Sequence, residues 1–256
     1  MRSTIKSGIA AVVFVAGLPT VLGTTASAGP INLITNGSFE FGSSDAAPGD
    51  WTMQGVGSTD LTGWSVTQNN IDWGNAFWQA ADGTHSLDLN GNRGAGGISQ
   101  IISTQVGQTY RLAFGLSGNP NLGEDYGIPG DLLVSLTAFA GSTSANYDFV
   151  VLEAQNNANM AWTKKLLTFT AEGSTTLIQF VSTTYLPEFG VTYGTSFFPN
   201  TPNCCFGPVL DDVSVTAVPD APPPTSVPEP STLALLGFGL LGLAGIRALR
   251  SKPVVP

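Results

Sequence analysis

Basic residues, histidine and cysteine are all scarce in this chain of 256 residues, and each shortage removes a class of function. Between residues 30 and 218 the bases are Arg93, Arg111, Lys164 and Lys165, against sixteen acids, a formal charge of −12. Nothing in that stretch can neutralise phosphates, so a nucleic-acid partner is excluded. One histidine and one cysteine pair, Cys204-Cys205, supply no zinc-ligand spacing. The adjacent cysteines leave a strained vicinal disulfide, two free thiols and a link to another chain all open. Nucleophile elbow, phosphate loop and dinucleotide fingerprint are also missing. The lone His85 lies in the turn Asp82-Gly83-Thr84-His85, where turn polarity accounts for it. The chain therefore reads as a non-enzyme, although a glycosidase's pair of carboxylates can hide among sixteen acids.

The two ends are distinctive. Arg2 and Lys6, an apolar run over residues 8–22 and the small-residue site Ala26-Ser27-Ala28 make residues 1–28 a cleavable signal peptide. At the other end, residues 219–231 form a proline-rich linker too stiff to pack as a strand. An uncharged apolar stretch follows over residues 233–246, or 18 residues when counted over 232–249, and then Arg247, Arg250 and Lys252. Residues 232–256 thus read as one hydrophobic helix with a basic tail, its C-terminus cytoplasmic and the preceding domain outside.

Residues 29–218 suffice for one domain. Tyr110, Leu112, Phe114 and Leu116 alternate with Arg111, Ala113 and Gly115, the period of a strand. Leu87 and Leu89 alternate with Ser86, Asp88 and Asn90. Residues 132–136, 166–170 and 177–181 are further strands, and Val213 with Val215 closes the series. No stretch sustains a helical period over three turns. Short strands with turn signals between them mean an all-β sandwich or barrel.

The tail, with Pro228-Glu229-Pro230, an apolar helix and a terminal basic cluster, closely resembles the PEP-CTERM sorting signal. That resemblance implies recognition by an exosortase, anchoring to the membrane through the helix before processing, and transfer to the cell surface or matrix. The β domain is similar to the choice-of-anchor C family, related to a plant cell-wall family of unknown function with galactose-binding-like jelly-roll domains. The segments that carry the likeness include Asn36-Gly37-Ser38-Phe39-Glu40, Gly63-Trp64-Ser65-Val66, Ser86-Leu87-Asp88-Leu89-Asn90-Gly91 and Gly207-Pro208-Val209-Leu210-Asp211-Asp212-Val213. Residues 186–206 depart from it as a long aromatic insertion.

The resemblance implies a jelly-roll β-sandwich that binds envelope or matrix polysaccharide. It also implies a structural calcium, for which Glu40 and Asp212 are the expected ligands where the first and last strands meet. Asp88-x-Asn90-x-Asn92 fits a calcium loop poorly, because Arg93 stands at the sixth position and Ser99 at the twelfth. Flat aromatic faces flanked by amides suit sugars. Trp73 and Trp78 sit in an Asn- and Asp-rich segment that reads as a loop, so they are the expected ligand platform, joined by Tyr193 of the insertion. The competing possibility places Trp64, Trp78 and Trp162 in the sandwich core. A self-associating structural matrix protein without sugar binding is the alternative function, and a polysaccharide hydrolase a weaker one.

Overall fold

A computed structural model describes residues 31–91, 94–121, 132–184, 191–193, 196–198, 205–219 and 240. The signal peptide, the sorting motif Pro228-Glu229-Pro230 and all but two residues of 219–256 lie outside the described residues. Among the described residues no helix is long and apolar enough to cross a membrane.

Two antiparallel sheets face one another. The strands are β1 (Asp50–Gly55), β2 (Ser65–Gln68), β3 (Asn70–Asn75), β4 (His85–Asp88), β5 (Asn90–Gly91), β6 (Gly94–Ala95), β7 (Gly97–Ser103) and β8 (Thr109–Gly118). They continue with β9 (Leu132–Ala140), β10 (Thr143–Val151), β11 (Thr163–Thr170), β12 (Thr175–Ser182), β13 (Val191–Tyr193), β14 (Ser196–Phe198) and β15 (Pro208–Ala217). One sheet runs β1-β3-β4-β15-β8-β11 and the other β10-β9-β12-β7-β2. This is the jelly-roll β-sandwich that the resemblance implied, within the compact unit Asn32–Pro256.

Alternation places the core where the sequence puts it. Tyr110, Leu112, Phe114 and Leu116 of β8 are buried, and Arg111, between the first two, is exposed; Ala113 and Gly115, on the other face, are buried as well. Phe114 meets Phe180 of the opposite sheet edge-to-face at 5.0 Å, which joins the two layers. The strands expected around residues 87, 134, 168, 179 and 214 all form.

The six-stranded sheet is buried on its other face as well. All six residues of β3 and all four of β4 are buried. Ile71, Trp73 and Leu87 point into the main core, so Asn70, Asp72, Gly74, Ser86 and Asp88 occupy the second face. A small cluster of Trp78, Met160 and Val209, with Phe77 and Trp162 beside it, covers part of that face. The Ser86 hydroxyl accepts from Trp78 Nε1 at 2.5 Å, and the Ser117 hydroxyl donates to the Met160 carbonyl.

Asp211 and Asp212 are separated by a bulge. The β15–β8 register slips between Asp211 and Ser214, and Asp212 adopts a left-handed φ of 47°. Asp211 is buried on the same face as Val209, and the extra residue turns Asp212 outward, half-exposed, and brings Val213 and Val215 back to the main core.

Candidate functional site

The loop between β3 and β4 is clamped by two carboxylates. Asp211 Oδ2 accepts from the backbone N–H of Ala81 at 2.7 Å and of Asp82 at 2.9 Å. Glu40 Oε1 accepts from the N–H of Thr84 and of His85, both at 2.8 Å. Glu40 Oε2 takes the Thr84 hydroxyl and faces His85 Nδ1, each at 2.9 Å. Ser38 adds a hydroxyl bond to Asp82 at 2.6 Å. Gly83 is required at the centre of the loop, because its φ is +69° and a Cβ there would stand 2.3 Å from Glu40 Oε1.

Burial pushes the Glu40 carboxyl up, but the hydrogen bonds from His85 and Thr84 outweigh it and hold the group below its usual range. Burial dominates at Asp211 and pushes it up to about 7, against its three backbone N–H donors.

The clamped loop forms one wall of an open groove of about 500 Å³, lined by Phe77, Trp78, Gln79, Gly83, Thr84 and Asn157. The opposite wall is tied to the loop by backbone and side chain. Gln79 N–H donates to the Asn157 carbonyl at 2.7 Å, and Trp162 Nε1 to the Gln79 carbonyl at 2.8 Å. Phe77 and Trp78 meet edge-on at 5.0 Å and lie against the sheet beside Gly74. Trp51, half-buried on the edge strand, stands directly across from Gly74. The groove thus offers ring surface beside amide and hydroxyl groups, held in place before any ligand arrives.

Beside the groove, Asp72 and Asp88 oppose one another on β3 and β4. Burial pushes Asp72 up to about 8, with the Asp88 charge adding to it. Burial also pushes Asp88 up to about 7, against hydrogen bonds from Asn90, Asn119 and Gly207.

Several expected site residues lie elsewhere. Trp73 is in β3, not a loop, and is 1% exposed, with Nε1 donating to the Phe39 carbonyl at 2.9 Å. The polar neighbours that suggested a loop face the second, covered side of the sheet, whereas Trp73 faces the core; it cannot be a ligand platform. Trp78 is also buried rather than exposed, but it does line the groove. The Tyr193 backbone belongs to β13, paired with β14, and its side chain lies outside the described residues. Phe77, which lines the groove, was missed. Phe77 adjoins Trp78 in sequence, the one signal that pointed to it.

The calcium expected at Glu40 and Asp212 does not fit. The chain next to Glu40 does run beside β15, since Val213 N–H donates to the Gly37 carbonyl at 2.9 Å. Yet both Glu40 oxygens are occupied by donors, and Asp212 turns outward to Lys164 at 3.4 Å. Asp211 and Glu40 meet the same loop, and its N–H groups stand where a cation would be needed. Among the described residues no group of three or more His, Cys, Asp or Glu side chains is gathered as a metal-ligand set.

The family described as "Protein of unknown function (DUF642)" matches residues 32–216, and the PEP-CTERM protein-sorting motif matches residues 226–250. Halomucin of Haloquadratum walsbyi is 28% identical over 168 residues, which cover 59% of this chain and 2% of that protein. The chain therefore spans a small fraction of its curated relative. Among solved structures, TmCBM61 in complex with β-1,4-galactotriose is 13% identical, with 73% of this chain and 99% of that one covered at a TM-score of 0.39. The CBM22-1 xylan-binding domain of Paenibacillus barcinonensis Xyn10C is 15% identical, covering 69% and 100%, at a TM-score of 0.36.

Proposed function

This chain belongs to the DUF642 family and carries a PEP-CTERM sorting motif, which marks it as an exported protein processed by an exosortase; from that premise we propose that its β-sandwich binds polysaccharide of the envelope or matrix. The observation that carries the reading is the groove of Phe77, Trp78, Gln79, Thr84 and Asn157. A sugar presents apolar C–H faces and a rim of hydroxyls, which ring surface and neighbouring amides complement. The clamp of the 81–85 loop by Glu40 and Asp211 lowers the ordering cost that a mobile loop would impose on binding.

Within this proposal the domain of residues 29–218 is of the choice-of-anchor C kind. The signal peptide is removed, and the apolar stretch of residues 232–249 holds the chain at the membrane until the exosortase acts. The finished protein then resides on the cell surface or in the matrix.

Calorimetric titration of the full-length chain with the producing organism's exopolysaccharide tests the proposal. Saturable heat, weakened in Phe77→Ala, supports it. A folded protein that gives no heat, and that sediments as larger assemblies as concentration rises, replaces it with a self-associating matrix role.

A further inference from the structure

The second face of the six-stranded sheet carries two opposed carboxyl groups with no basic partner among the described residues. In register across the strands stand Met53, Asp72, Asp88, Val209 and Ser117. Directly opposed residues on neighbouring strands share a face, with Cβ atoms about 4.5–5.5 Å apart. Asp72 is 9% exposed and Asp88 is fully buried. The flanking members of the row, Met53 and Val209, bring no charge. Among the described residues, ion pairs involve His85 with Glu40 and Asp45, and Lys164 with Asp212, and none reaches this pair.

The two acids are treated differently by their surroundings. Asp88 is held in place: Oδ1 accepts from Asn90 N–H at 2.8 Å, and Oδ2 from Asn119 Nδ2 at 2.7 Å and Gly207 N–H at 3.3 Å. Asp72 receives no such donor, and its Oδ1 is buried without a hydrogen-bond partner. Buried polar atoms in folded proteins are almost always satisfied. A carboxylate oxygen that faces a second carboxylate across a sheet, with no donor and no counter-charge, calls for a positive ligand.

We propose that Asp72 and Asp88 hold a calcium ion on the second face of the sheet. The donor chemistry selects a hard cation, since both groups offer oxygen alone. His85 is engaged by Glu40 and Asp45, and Cys205 is disulfide-bonded, so neither softens the site. Asp88 Oδ1, with a single donor, keeps a lone pair for the ion, and Asp72 keeps both its oxygens. Calcium accepts six to eight oxygens in irregular geometry and completes its shell with water, which a two-carboxylate site requires. This assignment moves calcium from the expected Glu40 and Asp212 to an acid pair next to the groove, and it stands whether or not the groove binds a glycan.

The test uses the full-length chain stripped with a chelator and titrated with calcium chloride at pH 8, followed by calorimetry and by thermal melting. One saturable event with a raised melting temperature is expected. Asp72→Asn should weaken it at least tenfold, and Asp212→Asn should leave it unchanged. Terbium luminescence sensitised by tryptophan, and displaced by calcium, gives the same reading without any substitution. No heat, no melting shift and no terbium signal up to about 10 mM calcium, beyond the weakest extracellular sites, overturns the proposal. So does a calcium response that survives in Asp72→Asn or disappears in Asp212→Asn.

Discussion

His85 grips Glu40 twice, through its backbone N–H to Oε1 at 2.8 Å and through ring Nδ1 at 2.9 Å from Oε2. Its other ring nitrogen lies 3.0 Å from Asp45 Oδ1, so one buried imidazole ties the start of the domain to β4. Glu40→Ala frees four donors of the 81–85 loop. A loss of about 2 kcal/mol in chemical denaturation is expected, the scale of hydrogen bonds to a charged group. An unchanged midpoint would mean that the clamp is ornamental.

The same contact sets an acid limit. A carboxyl held below its ordinary 4.5 contributes stability that is present above that value and is lost as pH falls through the lower folded value. Melting temperature should therefore drop below about pH 4.5 in the native chain, and drop less steeply in Glu40→Ala. Parallel acid limbs in the two proteins would contradict this.

Asp72 works in the opposite direction. Its folded value is raised from 3.8 to about 8, so between those limits the unfolded chain gives up a proton that the folded chain keeps. In chelator, stability should fall as pH rises from about 4 to about 8. Asp72→Asn should be stabilising by about 1–3 kcal/mol at pH 8 and close to neutral below about pH 4. Equal effects at the two pH values would show that the carboxyl does not titrate in this range.

Two aromatic substitutions separate core from groove. Trp73→Phe removes the hydrogen bond to the Phe39 carbonyl and part of the packed volume, at a cost of about 1–3 kcal/mol in stability. Polysaccharide affinity should not change, because the ring never reaches the surface. Phe77→Ala should do the reverse, losing about tenfold in affinity with a smaller loss of stability. Calorimetry and melting on both variants decide the matter, and a loss of affinity in folded Trp73→Phe would return Trp73 to the binding surface.

Much of the architecture was legible before any coordinates. The alternation in β4, β8 and β15 and the short apolar runs in β9, β11 and β12 identified strands because an apolar face must be buried, and a strand brings every second residue to it. The tail was legible too, since its order of Pro-Glu-Pro, apolar stretch and basic cluster is local. β3 was not legible. Asn70, Asp72 and Asn75 look like loop residues because polar side chains normally face water, and here they face a second buried surface.

The sequence by itself determined an acidic, all-β domain with a sorting motif at one end. Only the tertiary structure decided which acids do what. Asp211 and Asp212 are neighbours with the same side chain; the first reaches inward to the loop, and the bulge at Asp212, φ 47°, turns the second outward to Lys164 instead of into the core. Asp72 and Asp88 are sixteen positions apart, and strand register alone brings them face to face. The burial of a polar side chain and the register of its strand are set by what the rest of the chain packs against them, and no local pattern of residues encodes either.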